Sequence, residues 1–154
     1  MTIQGSCLCR GIAYDYAGKL GPMTVCHCSQ CRPRGLDPTQ SKPNPLLPTT
    51  SQKVQGSVTV VTMDASELTW KGADLLTEFE STPGKKRTFC RMCGTAMYSR
   101  RDDYPKVLRV RVGTIDTPIT QIPVAHIYAK DLPPWAAIEN DWPQCPELEP
   151  GAKR

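Results

Sequence analysis

Seven of the eight cysteines in this chain fall into three tight groups: Cys7-x-Cys9, Cys26-x-Cys28-x-x-Cys31 and Cys90-x-x-Cys93. The eighth, Cys145, stands alone among prolines and reads as an incidental thiol. A CxxC spacing lets two thiolates from one turn reach the same metal, and Zn²⁺ takes sulfur ligands at ~2.3 Å in tetrahedral geometry. One such pair is a weak signal, whereas three groups, with the first and third about eighty residues apart, are a strong one. Seven thiols divide as four plus three. A closed four-thiolate site is structural, and a three-thiolate site leaves a position for water or substrate. The simplest partition joins Cys7 and Cys9 to Cys90 and Cys93 and leaves Cys26, Cys28 and Cys31 for an open site. A zinc ribbon from Cys28, Cys31, Cys90 and Cys93 is a competing partition, and a third reading has all seven thiols serving folding. Spacing alone does not choose among them.

The open site defines a chemistry. A free thiol with a pKa near ~8.5 is mostly protonated at neutral pH, and coordination to a metal deprotonates it outright. The same Lewis acid polarises an aldehyde oxygen. Three thiolates already give such a site a net formal charge near −1, so the metal is a weak electrophile, suited to carrying a thiolate as well as activating one. His27 lies within the triad. Neighbours on an extended strand point to opposite faces, so convergence of Cys26 and Cys28 turns His27 away into a packing role.

The elements that must position these residues read as short strands. Ile12, Tyr14 and Tyr16 alternate with smaller or polar neighbours, Val58 to Met63 is rich in β-branched residues, and Leu75 to Glu80 alternates. Lys106 to Val112 sets Leu108, Val110 and Val112 opposite Val107, Arg109 and Arg111, and Val124 to Ala129 is a further strand candidate. No window sustains a helical stripe, although Pro134 to Asn140 has room for a turn or two. The expected class is all-β. At 154 residues the chain is one domain, and its 39% apolar content, below the usual ~45–50%, implies support beyond a hydrophobic core. The domain is expected over 1–146, interrupted by a Pro-rich insert or loop at about 33–52, with a loose tail over 147–154. There is no basic start followed by an apolar stretch and no run of ~18 apolar residues, so a cytoplasmic location is expected. In that reducing compartment clustered cysteines point to metal before disulfides.

The segments GSCLCRGIAYDYAG at 5–18, CHCSQCR at 26–32, GKKRTFCRMCGTAMYSRRDD at 84–103, VGTID at 112–116 and HIYAKDLPPWAAI at 126–138 resemble, in order, the glutathione-dependent formaldehyde-activating enzyme family, which includes the centromere protein V-like domains. The resemblance implies a β-tent fold of folded-over antiparallel sheets and two zinc ions per chain. In it Cys7, Cys9, Cys90 and Cys93 match structural zinc ligands, and Cys26, Cys28 and Cys31 match catalytic ones. The implied activity is that of a carbon–sulfur lyase joining formaldehyde and glutathione into S-(hydroxymethyl)glutathione. His126 and Trp135 also match family positions: His126 as a general acid or base near the open zinc or as a hydrogen-bonded core residue, Trp135 as a packing anchor. The chain departs from the family where Pro33 to Gln52 follows Arg32, beside the implied open zinc, and at Cys145, where relatives often carry an aromatic residue.

Glutathione brings two carboxylates that need cationic partners. Between Lys85 and Arg111 nine basic residues face only Asp102 and Asp103, a local balance of +7 in a chain whose net charge is +4. Lys86, Arg87, Arg100, Arg101, Arg109 and Arg111 are candidates, and Arg offers bidentate contacts that Lys does not. Arg87, Arg109 and Arg111 are the residues expected to bind glutathione, the last two sharing a strand face. A solvated basic face is the plain alternative for any one of them. The partners expected are glutathione or a related small thiol and an aldehyde, with no membrane. The alternative function is a non-catalytic zinc-stabilised binding module or glutathione carrier. Its nucleic-acid version rests on the +7 segment and is weakened by the mild net charge.

Overall fold

A computed structural model describes residues 2–28, 57–132 and 136–152 of the chain. The Pro-rich insert at 33–52, Cys31 and Trp135 lie outside the described residues. Among the described residues ten strands form two sheets. The smaller has the order β1-β2-β5, from Ile3–Ser6, Ala13–Tyr16 and Leu68–Lys71. The larger contains β3 (Met23–Cys26), β4 (Val58–Asp64), β6 (Leu76–Thr82), β7 (Lys85–Cys90), β8 (Ala96–Arg101), β9 (Tyr104–Arg111) and β10 (Ala125–Ile127), in the order β10-β3-β4-β9-β8-β7-β6. Every pairing is antiparallel except β10 with β3. Helical structure among the described residues is confined to short 3-10 turns. The all-β expectation is met by folded antiparallel sheets carrying a cysteine cluster.

The sheets face each other across one apolar core. Ile12, Tyr14 and Tyr16 come from the small sheet's side, and Met23, Val61, Met63, Met97, Leu108 and Val110 from the large one. Full burial of each such side chain contributes about 1.5–3 kcal/mol. The two tyrosines carry polar tips, and both are satisfied. Tyr14 Oη lies 3.1 Å from Thr114 Oγ1, while Tyr16 Oη donates to the Lys19 carbonyl (2.9 Å) and accepts from the Asp64 N–H (3.3 Å). Burial is the leading reason that the Tyr14 hydroxyl is pushed up to about 12. Trp70 bridges the sheets, its ring centroid 5.1 Å from Tyr14 and 5.5 Å from Tyr98.

The five strands expected from periodicity are present as β2, β4, β6, β9 and β10, each with shifted ends. Within β9, Leu108 and Val110 enter the core, while Arg109 and Arg111 face the other way. Strands β7 and β8 carry no apolar alternation because the face that continues into the core holds Lys86 and Thr88 on β7 and Arg100 on β8, and a bulge interrupts the period. The bend at β8 is a bulge: Thr88 pairs with Tyr98 and Phe89 with Ala96, which seats Met97 in the core. Past β10, where no packing signal appears in the sequence, residues 143–149 run alongside the strand. His126 N–H donates to the Pro143 carbonyl (2.8 Å), Cys145 N–H to the His126 carbonyl (2.8 Å) and Tyr128 N–H to the Glu147 carbonyl (2.8 Å).

Gly5 pairs directly with Tyr14 and bridges to Ile115. A Cβ there would collide with the Tyr14 ring and the Thr114 carbonyl, whereas one at Gly113 meets nothing within 4 Å. Gly5→Ala is therefore expected to destabilise the protein by about 1–3 kcal/mol through overpacking, and Gly113→Ala by no more than about 0.5 kcal/mol. Thermal unfolding of the zinc-loaded chain checks the contrast.

Candidate functional site

Two hairpin connections bring four thiols to one point. The first turns back after β1: Cys7 N–H donates to the Ile12 carbonyl (3.0 Å) and Arg10 N–H to the Cys7 carbonyl (2.9 Å), with Arg10 in the left-handed region at φ 59°. The second follows β7: Gly94 N–H donates to the Cys90 carbonyl (2.8 Å), and its φ of 75° is one that glycine adopts without a Cβ penalty. The Sγ atoms of Cys7, Cys9, Cys90 and Cys93 all lie within 4.8 Å of one another, with Cys7 to Cys9 at 3.4 Å and Cys9 to Cys90 at 3.9 Å. A tetrahedral zinc with bonds of ~2.3 Å requires sulfurs about 3.8 Å apart, so this donor set fits the ion.

The surroundings favour thiolates at some positions and oppose them at others. Burial pushes the Cys93 thiol up, yet hydrogen bonds from the Thr95 hydroxyl, the Thr95 N–H and Cys9 bring it down to about 6. The Gly11 N–H pulls Cys9 down, but hydrogen bonding to its sulfur neighbours carries it up to about 12. Four thiols this close do not all ionise unless a cation joins them. Ile12 N–H also donates to Cys7 Sγ at 3.3 Å.

A separate cleft of about 300 Å³ opens on the face of the large sheet turned from the core, and Cys26 and Cys28 line it. Arg87, Arg109 and Arg111 line it too. Register explains the grouping: Arg87 pairs with Ser99, Ser99 with Arg109, and Arg111 with Val60, so one face of four adjacent strands carries the cations. Arg100 and Arg101 also line the cleft, but they and Lys86 are paired with carboxylates of the chain. Arg100 grips Glu78 through Nε to Oε1 and Nη2 to Oε2, each 2.9 Å, and reaches Asp102 at 2.9 Å. Arg101 pairs with Asp103 at 2.9 Å, and Lys86 with Asp102 at 3.6 Å. Arg87 Nε is buried without a hydrogen-bond partner, and no carboxylate among the described residues pairs with this side chain.

The histidines lie outside the cleft lining, where they form a directed chain. Trp142 N–H donates to Asn140 Oδ1 (3.0 Å), which fixes the amide orientation. His126 Nε2–H donates to the same oxygen (3.0 Å), leaving His126 Nδ1 to accept from His27 Nε2–H at 2.8 Å. Both rings are buried, and burial, then His126, pulls the His27 pKa down against Cys28. His126 thus has the hydrogen-bonded core position. Cys145 packs against the Cys26 and Ile127 cluster rather than standing apart. Glu149 sits against Arg109 at 3.2 Å, a contact with no signal in a tail rich in Pro and Glu.

The fold and site define a protein of two folded β-sheets joined at a four-cysteine cluster that can hold a metal ion. Residues 2–40 and 49–131 match the glutathione-dependent formaldehyde-activating enzyme family, and the chain belongs to that family. A crystal structure of a Rhodobacter sphaeroides protein is similar in fold, with a TM-score of 0.52 at 20% identity, covering 78% of this chain and 97% of that one. No curated protein matches the sequence.

The two cysteine groups should respond differently to substitution. Cys7→Ser and Cys90→Ser are expected to abolish the cooperative thermal transition, because metal binding supplies folding free energy. Cys28→Ser is expected to retain it. Equal loss in all three would remove the division of labour.

Proposed function

We propose that this protein is a zinc-dependent enzyme of the carbon–sulfur lyase type. It forms or cleaves an S-hydroxymethylglutathione-like adduct from glutathione, or a related small thiol, and an aldehyde. Cys7, Cys9, Cys90 and Cys93 hold a structural zinc; Cys26, Cys28 and Cys31 hold a second with an open position. The observation that carries the reading is the cleft: Cys26 and Cys28 share its wall with Arg87, Arg109 and Arg111. Its volume of about 300 Å³ is at the small end of the range for small-molecule sites.

Zinc bound at the open site supplies Lewis acidity and a position at which a thiol loses its proton near neutral pH. The protein's own work is orientation. Arg87, Arg109 and Arg111 engage the two carboxylates of glutathione and aim its sulfur at the Cys26–Cys28 end of the cleft. Adduct formation is then an addition: a sulfur–carbon bond forms, the carbonyl π pair moves to oxygen, and the proton lost by the thiol ends on that oxygen. Nothing is oxidised or reduced, and the reverse sequence cleaves the adduct.

Native mass spectrometry with and without excess glutathione tests this. Two zincs per chain and a glutathione adduct on the two-zinc species are expected. One tightly held zinc and no adduct would remove the mechanism and leave a zinc-stabilised scaffold.

A further inference from the structure

Arg109 differs from the other paired arginines of the cleft in where its partner comes from. Arg100 and Arg101 are neutralised by Glu78 on β6, two strands across the same sheet, and by Asp102 and Asp103 in the turn that follows β8. Arg109 Nη2 instead meets Oε1 of Glu149, forty positions further along the chain, at 3.2 Å. The pair is enclosed, with side-chain exposures of 16% and 12%. It is also incomplete: Glu149 Oε2 is buried without a hydrogen-bond partner. Arg87 lies on the same face two strands away, across Ser99, with its Nε buried and unbonded. An unsatisfied oxygen on the carboxylate paired with one cleft arginine thus coexists with an unsatisfied guanidinium donor on another, and each costs free energy while it stays unpaired.

We propose that Arg109 is the centre of a carboxylate subsite that the protein's own Glu149 fills until a ligand carboxylate displaces it. Glu149 is placed to leave. The segment before it is anchored to the neighbourhood of β10 by the Cys145 and Glu147 backbone bonds and by Lys130 Nζ to Glu147 Oε1 at 2.8 Å. Beyond Glu147 the segment is held by Leu148, which packs against the Cys26 and Ile127 cluster, and by a local turn from Ala152 N–H to the Glu149 carbonyl, while the Glu149 side chain itself is tied through the Arg109 contact. An incoming carboxylate with two free oxygens can engage Arg109 and turn its second oxygen toward Arg87, which Glu149 leaves without a partner. The subsite selects thiols that carry a carboxylate. The identity of that ligand as glutathione rests on the proposed function; the subsite itself does not.

The test uses succinate, a carboxylate without a thiol, titrated calorimetrically into the zinc-loaded full chain. Glu149→Gln is expected to bind it about tenfold more tightly than the wild type. Glu147→Gln, which removes the exposed Lys130 ion pair and leaves Arg109 and Glu149 in place, should match the wild type. Adding Arg109→Gln to Glu149→Gln should erase the gain. Unchanged or weaker binding by a folded Glu149→Gln chain overturns the proposal, as does a gain that survives loss of Arg109. If Glu149→Gln does not fold, displacement is read in the wild type: saturating succinate should move the backbone amide signal of Glu149 and leave that of Gly5 in place. No movement at Glu149, or no binding of succinate, overturns it equally. Cysteamine, a thiol without a carboxylate, should be indifferent to Glu149→Gln; a matching gain there counts against the subsite. Failure of glutathione to bind while succinate behaves as expected would defeat the proposed function and leave the subsite standing.

Discussion

Four cysteine sulfurs within 4.8 Å of one another form an arrangement that can hold a metal ion, and it joins the two halves of the architecture. Cys7 and Cys9 belong to the connection leaving β1 of the small sheet, and Cys90 and Cys93 to the connection leaving β7 of the large one. An ion shared by them would rivet the two layers together at one end of their common core. Such a link would supply the support that a chain with only 39% apolar residues calls for. Cys7 and Cys90 are buried among the core side chains, so the rivet and the hydrophobic contacts reinforce each other. A metal bound there would make one cooperative unit with the packing, since neither sheet has a complete apolar interior alone.

With the core face of the large sheet committed to that unit, its opposite face is available for a ligand. The alternation of β9 makes the division visible, with Leu108 and Val110 turned in and Arg109 and Arg111 turned out to the cleft. Because β7, β8, β9 and β4 run in register, cations separated by many positions in the chain become neighbours. Carboxylates from adjoining elements silence Arg100 and Arg101, so a count of charges overstates what the cleft offers.

Much of this was legible in the residues. Cysteine spacing offered the four-sulfur cluster as the simplest of several partitions and the family resemblance favoured it, while period-two alternation located strands whose inward face is apolar. Strands β7 and β8 escaped detection because Lys and Arg occupy the positions where alternation would otherwise be read. The grouping of Arg87 with Arg109 was beyond periodicity, since it depends on strand order. Asn140 and Trp142, which orient the His126–His27 pair, lie in a segment whose composition reads as loop. Glu149 was hidden for a related reason: an acidic residue in a Pro-containing tail looks solvated until the fold brings an arginine to it.

The pairing of residues 143–149 with β10 also bears on how the large sheet behaves among its own copies. An open sheet ends in two rows of unpaired backbone groups, each a template for joining another chain. At β10 that row is occupied by the chain itself, through bonds at His126, Cys145 and Tyr128. At the other end, β6 sets Glu78 and Glu80 on its length and is bent by the register shift between Glu80 and Thr82, features that oppose flat strand-to-strand docking. The seven strands are thereby closed to lateral growth at one side by cover and at the other by charge and curvature. On the proposed function, the cleft-side face stays open to small molecules while both flanks of that sheet are guarded against assembly.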